Sequence, residues 1–210
     1  MTNPNKQLVF EACVDTLKDA LVAEKLGANR IELCSTLDQD GLTPSPELTS
    51  QCLKHLSIPI MAMVRPRGGN FVNSESEIRQ METDIEFFKQ AGVAGVVFGL
   101  LTTKGAIDFI NTRRLTDLAF PLEVTFHKAI DYTADILKSF QELNTIDGIT
   151  RVLTSGGMDT AWNGRLVLKA MQEFPARRIQ IIAAGKVLPE NRELIAEFTG
   201  VVELHGKNIV

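Results

Sequence analysis

Five segments of the chain carry metal-ligating, acid–base or anion-binding side chains, and in each segment these residues stand two positions apart. Carboxylates, thiols and imidazoles bind metals or exchange protons, and guanidinium groups bind carboxylates and phosphates. Successive side chains of a β-strand point to opposite faces, so residues two apart share a face. The spacing therefore predicts that these groups point into one interior. They are Glu11 and Cys13, Glu32 and Cys34, Arg65 and Arg67, Glu123 with Thr125 and His127, and Glu203 and His205.

Cys13 and Cys34 form the candidate metal site. The pattern places them at equivalent positions of neighbouring strands, which lie about 4.7–4.9 Å apart, so both sulfurs can approach one ion. Two thiolates suit a soft ion such as Cu(I) better than Mg²⁺ or Ca²⁺. The alternative is that both are small core residues, because free cysteine is often buried without binding a ligand.

Gly-containing loops at the ends of predicted strands are candidate anion sites. Arg65 and Arg67 precede a glycine pair, an arrangement that suits a carboxylate or phosphate. Residues 154–157 and 183–186 follow the sixth and seventh strands, where barrel loops commonly supply backbone N–H groups to phosphate. For each loop an ordinary tight turn is the alternative. The predicted ligand-binding set is Arg65, Arg67, Thr154, Ser155, Gly156, Gly157, Glu203 and His205.

His127 is the candidate acid–base group, because imidazole titrates near neutral pH. An enzyme or sensor for a small anionic metabolite would pair it with Glu32, and Glu11 and Lys128 complete the predicted catalytic set. The alternative is a purely structural ion network inside the barrel, since buried charges need partners whether or not they catalyse a reaction.

The elements that position these residues are eight short apolar strands alternating with helices. The strands are predicted at 8–13, 30–34, 60–64, 95–99, 122–126, 151–155, 178–182 and 201–205. Four of them follow a glycine that can end a helix in the left-handed conformation, and three follow a proline, which cannot continue a helix. The glycines are Gly27, Gly92, Gly148 and Gly200, and the prolines are Pro59, Pro121 and Pro175. This alternation predicts an α/β fold, a TIM (β/α)8 barrel of eight parallel strands formed by residues 1–210 as a single domain.

Seven helices are predicted between the strands. Capping residues and helical spacing place them after Asp15-Thr16, after Ser45, and at 74–90, 108–118, 133–143, 160–174 and 189–198. Only five residues follow His205, so the eighth helix is predicted to be missing or rudimentary. Uncovered apolar strand faces favour association, which predicts a homodimer or larger homo-oligomer.

Composition excludes several classes of partner. The 210 residues are 44% hydrophobic and 23% charged with a net charge of −4, and no Lys/Arg cluster offers a nucleic-acid surface. The longest apolar run, 92–101, is half the length of a membrane span. The first six residues lack the apolar core of a signal peptide. Three cysteines, an odd number, predict reduced thiols and a cytoplasmic location.

Seven motifs, in order along nearly the whole chain, resemble those of the CutC family of copper homeostasis proteins. They are FEACVD (10–15), RIELCS (30–35), GLTPS (41–45), VRPRGG (64–69), TFHKAID (125–131), RVLTSGG (151–157) and ELHG (203–206). The resemblance implies a TIM-barrel-like fold, a cytoplasmic location, oligomeric association and a copper-binding role. In that family the cysteines that match Cys13 and Cys34 are the proposed Cu(I) ligands.

Three departures from the family pattern bear on the anion sites. The turn at 183–186 (AAGK) has fewer glycines than is usual, which weakens a phosphate grip by backbone N–H groups. Lys128 stands where arginine is common and replaces a planar fork with a point charge. The segment after His205 is short. A copper-binding protein and a metabolite enzyme or sensor thus remain the two leading hypotheses, with a structural scaffold as the third.

Overall fold

Eight parallel strands form a closed barrel in a computed structural model that describes residues 7–210. Residues 1–6, for which the sequence predicts no signal peptide, lie outside the described residues. The TIM-barrel prediction is confirmed, and each strand lies within two residues of its predicted bounds. The strands are β1 (Val9–Val14), β2 (Arg30–Leu33), β3 (Ile60–Met63), β4 (Gly95–Phe98), β5 (Glu123–Phe126), β6 (Ile149–Thr154), β7 (Gln180–Ala183) and β8 (Glu203–Gly206).

Seven α-helices surround the barrel over the described residues. They are α1 (Leu17–Lys25), α2 (Pro46–His55), α3 (Glu75–Ala91), α4 (Phe109–Ala119), α5 (Ile136–Leu143), α6 (Arg165–Gln172) and α7 (Arg192–Thr199). The helix starts predicted from capping residues are confirmed, because the side chains of Thr16, Ser45, Ser74 and Asp108 each accept a hydrogen bond from the first turn. Gly92 and Gly200 end α3 and α7 in the left-handed conformation, at φ 86° and 76°.

The predicted starts of the last three helices are wrong by three to five residues. α5 begins after Asp135, whose side chain caps it, because a 3₁₀ turn over Lys128–Tyr132 uses the preceding residues. α6 begins only at Arg165, since the chain before it packs against the loop after β6. A Cβ at Gly164 would lie 1.8 Å from the carbonyl oxygen of Ser155, so this approach requires glycine.

The apolar core lies between the barrel and its helices, and the polar side chains fill the barrel interior. Outward strand residues such as Ile31, Leu33 and Phe126 are fully buried beneath the helices. The strand register arranges the inward residues in three layers. Arg30, Glu123, Arg151 and Glu203 lie near the N-terminal end, Glu11, Glu32 and His205 in the middle, and Cys13, Cys34 and His127 at the C-terminal mouth.

Residues 207–210 follow β8 and pack back against the barrel without forming a helix. Ile209 is buried, and its carbonyl accepts a hydrogen bond from Arg192, whose guanidinium lies 4.0 Å from the ring centroid of Phe10. These contacts partly cover the outer face of β1 and β8. Association into a homo-oligomer stays a prediction. None of the helices in residues 7–210 is long and apolar enough to cross a membrane.

Candidate functional site

The lowest layer of the barrel interior is an ion-pair network. Arg30 pairs with both Glu11 and Glu203, with a distance of 2.5 Å from its Nη2 to Glu203 Oε2. Arg151 pairs with Glu203 at 3.0 Å and with Glu123 at 2.5 Å. Glu203 therefore lies one layer below His205, with two arginines as partners, and its role in ligand binding stays a prediction.

The middle layer contains two carboxylates and one imidazole. Nδ1 of His205 lies 2.9 Å from Oε1 of Glu11, and Nε2 of the same ring lies 3.7 Å from Oε2 of Glu32. All three residues are at least nine-tenths buried. Oε1 of Glu32 has no hydrogen-bond partner among the described residues. The His205 ring therefore joins a paired carboxylate on one side to a partly unsatisfied one on the other.

Burial and charge set the protonation of this layer. Burial alone would raise the pKa of Glu11, but the charges of Arg30 and His205 outweigh it and lower the pKa to about 2. Burial raises the pKa of Glu32, and the Glu11 charge adds to that shift. For His205 burial opposes the charged form, yet the carboxylates, Glu32 foremost, and its hydrogen bonds hold its pKa well above the usual value. Without a metal, the Glu11–His205 pair is thus ionised.

Cys13 and Cys34 meet in the upper layer, with their Sγ atoms 3.9 Å apart. Apolar side chains surround them, including Met61, Met63 and Val97, and both thiols are reduced. The hydrogen bond that the Cys13 thiol makes to Cys34, together with burial, raises the pKa of Cys13. The contact with Cys13 would lower the pKa of Cys34, but burial and the Glu32 carboxylate outweigh it and raise the pKa to about 11. Both cysteines are therefore thiols when no metal is bound.

The thiol pair and the middle layer are in direct contact. Sγ of Cys34 lies 3.7 Å from Oε2 of Glu32. One donor atom each of Cys13, Glu32 and His205 lies within 4.8 Å of the others, the spacing of atoms that can share one ion. The structure thus brings together Glu11, Glu32, His205 and both cysteines, all from β1, β2 and β8 or their ends.

His127 lies across the lumen at the end of β5, buried beside the ring of Phe71. Burial and the charge of Arg65 lower the pKa of His127 to about 3, so the ring is neutral at physiological pH. Nδ1 accepts a hydrogen bond from the backbone N–H of Ala129. Two strands, β3 and β4, separate β5 from β2, the strand of Glu32, and no hydrogen bond or ion pair joins the predicted pair His127 and Glu32 in the described residues.

The two arginines of the loop after β3 are held mainly by backbone carbonyls. Arg65 is 7% exposed, and its terminal nitrogens donate to the carbonyls of residues 39, 40, 41 and 69. Its Nε has no partner among residues 7–210, and no carboxylate there lies within ion-pair distance. Arg67 forms an ion pair with Glu77 at 2.5 Å and also donates to three carbonyls. Arg67 is thus occupied, whereas Arg65 is a buried cation with no ion-pair partner among residues 7–210.

The loop after β6 already binds an anion from within the chain. The carboxylate of Asp131 accepts hydrogen bonds from the backbone N–H groups of Ser155 and Gly157 and from the hydroxyls of Thr154 and Ser155. Lys128 Nζ lies 3.0 Å from this carboxylate and 2.7 Å from Ser155 Oγ. The loop groups that were predicted to bind phosphate therefore bind the Asp131 carboxylate. Lys128 from the predicted catalytic set contacts the same carboxylate.

Reasoning from the sequence missed two residues of the barrel interior, Arg30 and Arg151, and did not predict the loop contact of Asp131. Arg30 and Arg151 stand at the N-terminal ends of the interior faces of β2 and β6. The spacing of two that links Glu32 and Cys34 also places Arg30 on that face, so the signal was present. No local signal indicates that Asp131 reaches the next loop, because that contact spans 24 residues of chain.

Comparison with known proteins identifies the family of this chain. A model of the CutC family matches residues 8–210. The chain belongs to the CutC family. A human relative called copper homeostasis protein cutC homolog is 40% identical over 197 residues, which are 94% of this chain and 72% of that protein. A Vibrio campbellii CutC protein is 43% identical over 203 residues, 96% of this chain and 81% of the relative.

Solved structures agree with this membership. The crystal structure of a CutC protein from Streptococcus agalactiae superposes with a TM-score of 0.92 at 33% identity, over 97% of this chain and all of the other. A phosphonopyruvate hydrolase superposes with a TM-score of 0.70 at 13% identity, over 97% of this chain and 76% of that one. At that identity the second match shows the shared barrel fold alone.

Proposed function

We propose that this CutC-family chain binds copper as Cu(I), through Cys13 and Cys34, near the C-terminal mouth of the barrel. The observation that carries the proposal is the distance of 3.9 Å between the two Sγ atoms inside the barrel. Strands β1 and β2 present the thiols side by side, so one ion can contact both without a change of backbone. The family name of its relatives points to the same metal.

The surroundings of the thiols favour the soft monovalent ion. Thiolates and thioethers are the ligands that Cu(I) prefers, and Met61 and Met63 lie in the same cluster as the cysteines. Cys13 is 7% exposed and Cys34 is fully buried, which limits oxidation by solvent. Because thiolate is the form that binds metal, loading of copper must release the thiol protons. A reducing cytoplasm would keep both thiols available.

The test is competition for Cu(I) against a chromogenic chelator under anaerobic, reducing conditions. The wild-type chain is expected to take about one copper per chain, and Cys13→Ser with Cys34→Ser to take none. Cys52→Ala is the matched control, because Cys52 is also a buried free thiol but lies on α2, outside the barrel interior. Unchanged affinity in the double variant would reject the proposal.

A second candidate function, recognition of a small anionic metabolite, is favoured by Arg65. A buried cation without a counter-ion is costly, and a ligand carboxylate or phosphate would supply the missing charge. The neutral His127 ring lies 5.0 Å from the Phe71 ring, centroid to centroid, and the Arg65 guanidinium lies 4.9 Å from the same Phe71 centroid. Both donors thus flank one aromatic side chain near the mouth, and no metal is needed for this recognition.

The matching test is the change in melting temperature with phosphate, oxalate and simple phosphorylated or carboxylated metabolites. Binding to the folded state alone raises the free energy of unfolding by about 2.7 kcal/mol at a hundredfold excess over Kd. Arg65→Lys should reduce the ligand-induced shift, whereas Arg67→Lys should leave it unchanged because Arg67 is already paired with Glu77. Equal shifts in both variants would remove Arg65 from the candidate site.

A further inference from the structure

The cysteine pair proposed above has two further donors beside it, Glu32 and His205, and this inference rests on that proposed pair. We propose that Cys13, Cys34, Glu32 and His205 together form a four-donor site that takes a divalent zinc ion. The carboxylate and imidazole extend the function of the site from a soft monovalent ion to a borderline divalent one. Three features support this site: the spacing of the donor atoms, the orientation of His205 and the unpartnered oxygen of Glu32.

Three of the six donor–donor distances are close to the edges of a zinc tetrahedron. With Zn–S bonds of about 2.3 Å and Zn–N and Zn–O bonds of about 2.0–2.2 Å, the edges are about 3.8 Å for S–S, 3.6 Å for S–O and 3.4 Å for N–O. The corresponding distances are 3.9 Å between the two Sγ atoms, 3.7 Å from Cys34 Sγ to Glu32 Oε2, and 3.7 Å from that oxygen to His205 Nε2. Cys13 Sγ lies within 4.8 Å of the other two donors. The three measured edges need shifts of only a few tenths of an ångström. Cys34 is not part of the group whose donors all lie within 4.8 Å of one another, so its Sγ must move closer to that group to complete the tetrahedron.

The orientation of His205 is that of a metal ligand. Its Nδ1–H donates to Glu11 at 2.9 Å, which leaves Nε2 directed towards Glu32 and the cysteines. Histidines that bind metals almost always donate the other ring N–H to a carboxylate or carbonyl in this way. Arg30 holds the Glu11 carboxylate from its other oxygen, so the support of the ring is itself fixed.

Glu32 supplies a second, independent indication of a ligand. Its side chain is 3% exposed, and its Oε1 has no partner in the described part of the chain. A buried carboxylate oxygen without a hydrogen bond is costly unless something else satisfies it. A divalent ion bound through Oε2 would neutralise this charge, which a monovalent ion held only by the thiols does less well.

A surface groove borders the site at Cys13. A groove of about 340 Å³ runs between α1, residues 207–210 and Leu37, and Cys13 lies in its wall. Its rim carries Asp19 and Lys207. Cys13 therefore borders a groove on the protein surface, away from the packed lower layers of the barrel.

The donor set separates the two metals by chemistry. Cu(I) is satisfied by two soft sulfur ligands, whereas zinc is bound by sulfur, nitrogen and oxygen together and adopts four-coordinate geometry. Loss of Glu32 or His205 should therefore weaken zinc strongly and Cu(I) little. Loss of either cysteine should weaken both ions.

The experiment measures zinc and Cu(I) affinities by chelator competition for the wild type, Glu32→Gln and His205→Gln. Zinc affinity is expected to fall by about 100-fold or more in each variant. Loss of a residue that only supports a metal ligand typically lowers metal affinity by about 10–100-fold, and loss of a ligand should cost at least as much. Cu(I) affinity should stay within about threefold. Glu123→Gln is the control, because Glu123 also stands on the interior face of a strand but pairs with Arg151 in the lowest layer.

Cobalt(II) gives a second, spectroscopic readout. The wild-type chain with Co²⁺ should show the intense visible bands of a tetrahedral site and a thiolate charge-transfer band, and Glu32→Gln should shift the visible bands. Zinc binding that is equal in wild type and both variants, or a six-coordinate Co²⁺ spectrum in the wild type, would overturn the inference. Zinc binding without Cu(I) binding would reject the proposed copper function and leave this inference standing.

Discussion

Asp131 and Ser155 are joined by three hydrogen bonds between successive loops of the barrel mouth. The Ser155 N–H donates to both carboxylate oxygens, at 3.2 and 3.0 Å, and the Ser155 hydroxyl donates to Oδ2 at 2.9 Å. Gly157 N–H adds a fourth contact at 2.9 Å. The loop after β6 therefore has the backbone donors of an anion site, and a carboxylate of the same chain fills it.

Asp131→Ala should both destabilise the chain and open this anion site. Loss of hydrogen bonds to a buried charged acceptor costs about 1.5–3 kcal/mol of the free energy of unfolding, measured by urea denaturation. Inorganic phosphate should then raise the melting temperature of the variant more than that of the wild type. Asp147→Ala is the control, because that side chain is 92% exposed. A variant as stable as wild type would show that Asp131 does not hold the loops together.

Glu203→Ala should destabilise the chain without weakening Cu(I) binding. Glu203 is shared by Arg30 and Arg151 in the lowest layer, and removing one member of a buried ion network costs about 3–5 kcal/mol. Arg30 keeps Glu11 and Arg151 keeps Glu123, which favours the lower end of that range. The measurement is urea denaturation, with chelator competition for Cu(I).

The control for this prediction is Glu173→Ala, at an exposed pair with Lys169. Exposed ion pairs contribute little, so that variant should stay within about 0.5 kcal/mol of wild type. Loss of Cu(I) binding in a folded Glu203→Ala chain would return Glu203 to the ligand site.

Gly99→Ala should displace His127 from its place in the barrel. A Cβ at Gly99 would lie 2.4 Å from Nδ1 of His127 and 2.7 Å from its Cε1. Overpacking of this kind costs about 1–3 kcal/mol in the free energy of unfolding. Because His127→Ala removes the clashing ring, the double variant should lose less stability than the sum of the two single variants. Additive losses would mean that the ring moves aside freely.

The neutral state of His127 should make the chain less stable in acid. Burial first, then the Arg65 charge, lowers its pKa to about 3, whereas Asp131 pulls the other way. Between pH 6.5 and about 3 the unfolded chain binds a proton on this ring that the folded chain does not. The stability contributed by the neutral ring is therefore complete above pH 6.5 and is lost as pH falls. Each pH unit in that window costs up to about 1.4 kcal/mol.

The measurement is the free energy of unfolding from urea denaturation at several pH values, for wild type and His127→Gln. The glutamine does not titrate, so its curve should be flatter in this window. The difference between the two curves cancels the carboxylates, which titrate in both chains. Parallel curves would show that His127 does not remain neutral in the folded state.

Much of this fold is readable in the amino-acid order because its causes are local. Glycine and proline end helices by backbone sterics, Ser45 and Asp108 cap helices through their own side chains, and alternation assigns each strand residue to a face. The same alternation directed Glu11, Glu32, His205 and both cysteines into the barrel interior. The family was also recognisable at that level, since its motifs lie on these strand ends.

Height inside the barrel and the identity of partners required the folded chain. Alternation along one strand does not give the height of Glu203 or His205 relative to residues of other strands. That height depends on the stagger between neighbouring strands, which places Glu203 in the lowest layer and His205 in the middle layer. Glu203 therefore joined the arginines, and Glu32 reached Cys34 and His205 instead of His127. Likewise, Arg65 binds loop carbonyls and Asp131 fills the loop after β6 through contacts that form only when distant segments pack. Local backbone geometry determines which face of a strand a side chain occupies. Closure of the barrel determines which charged groups of other strands it contacts.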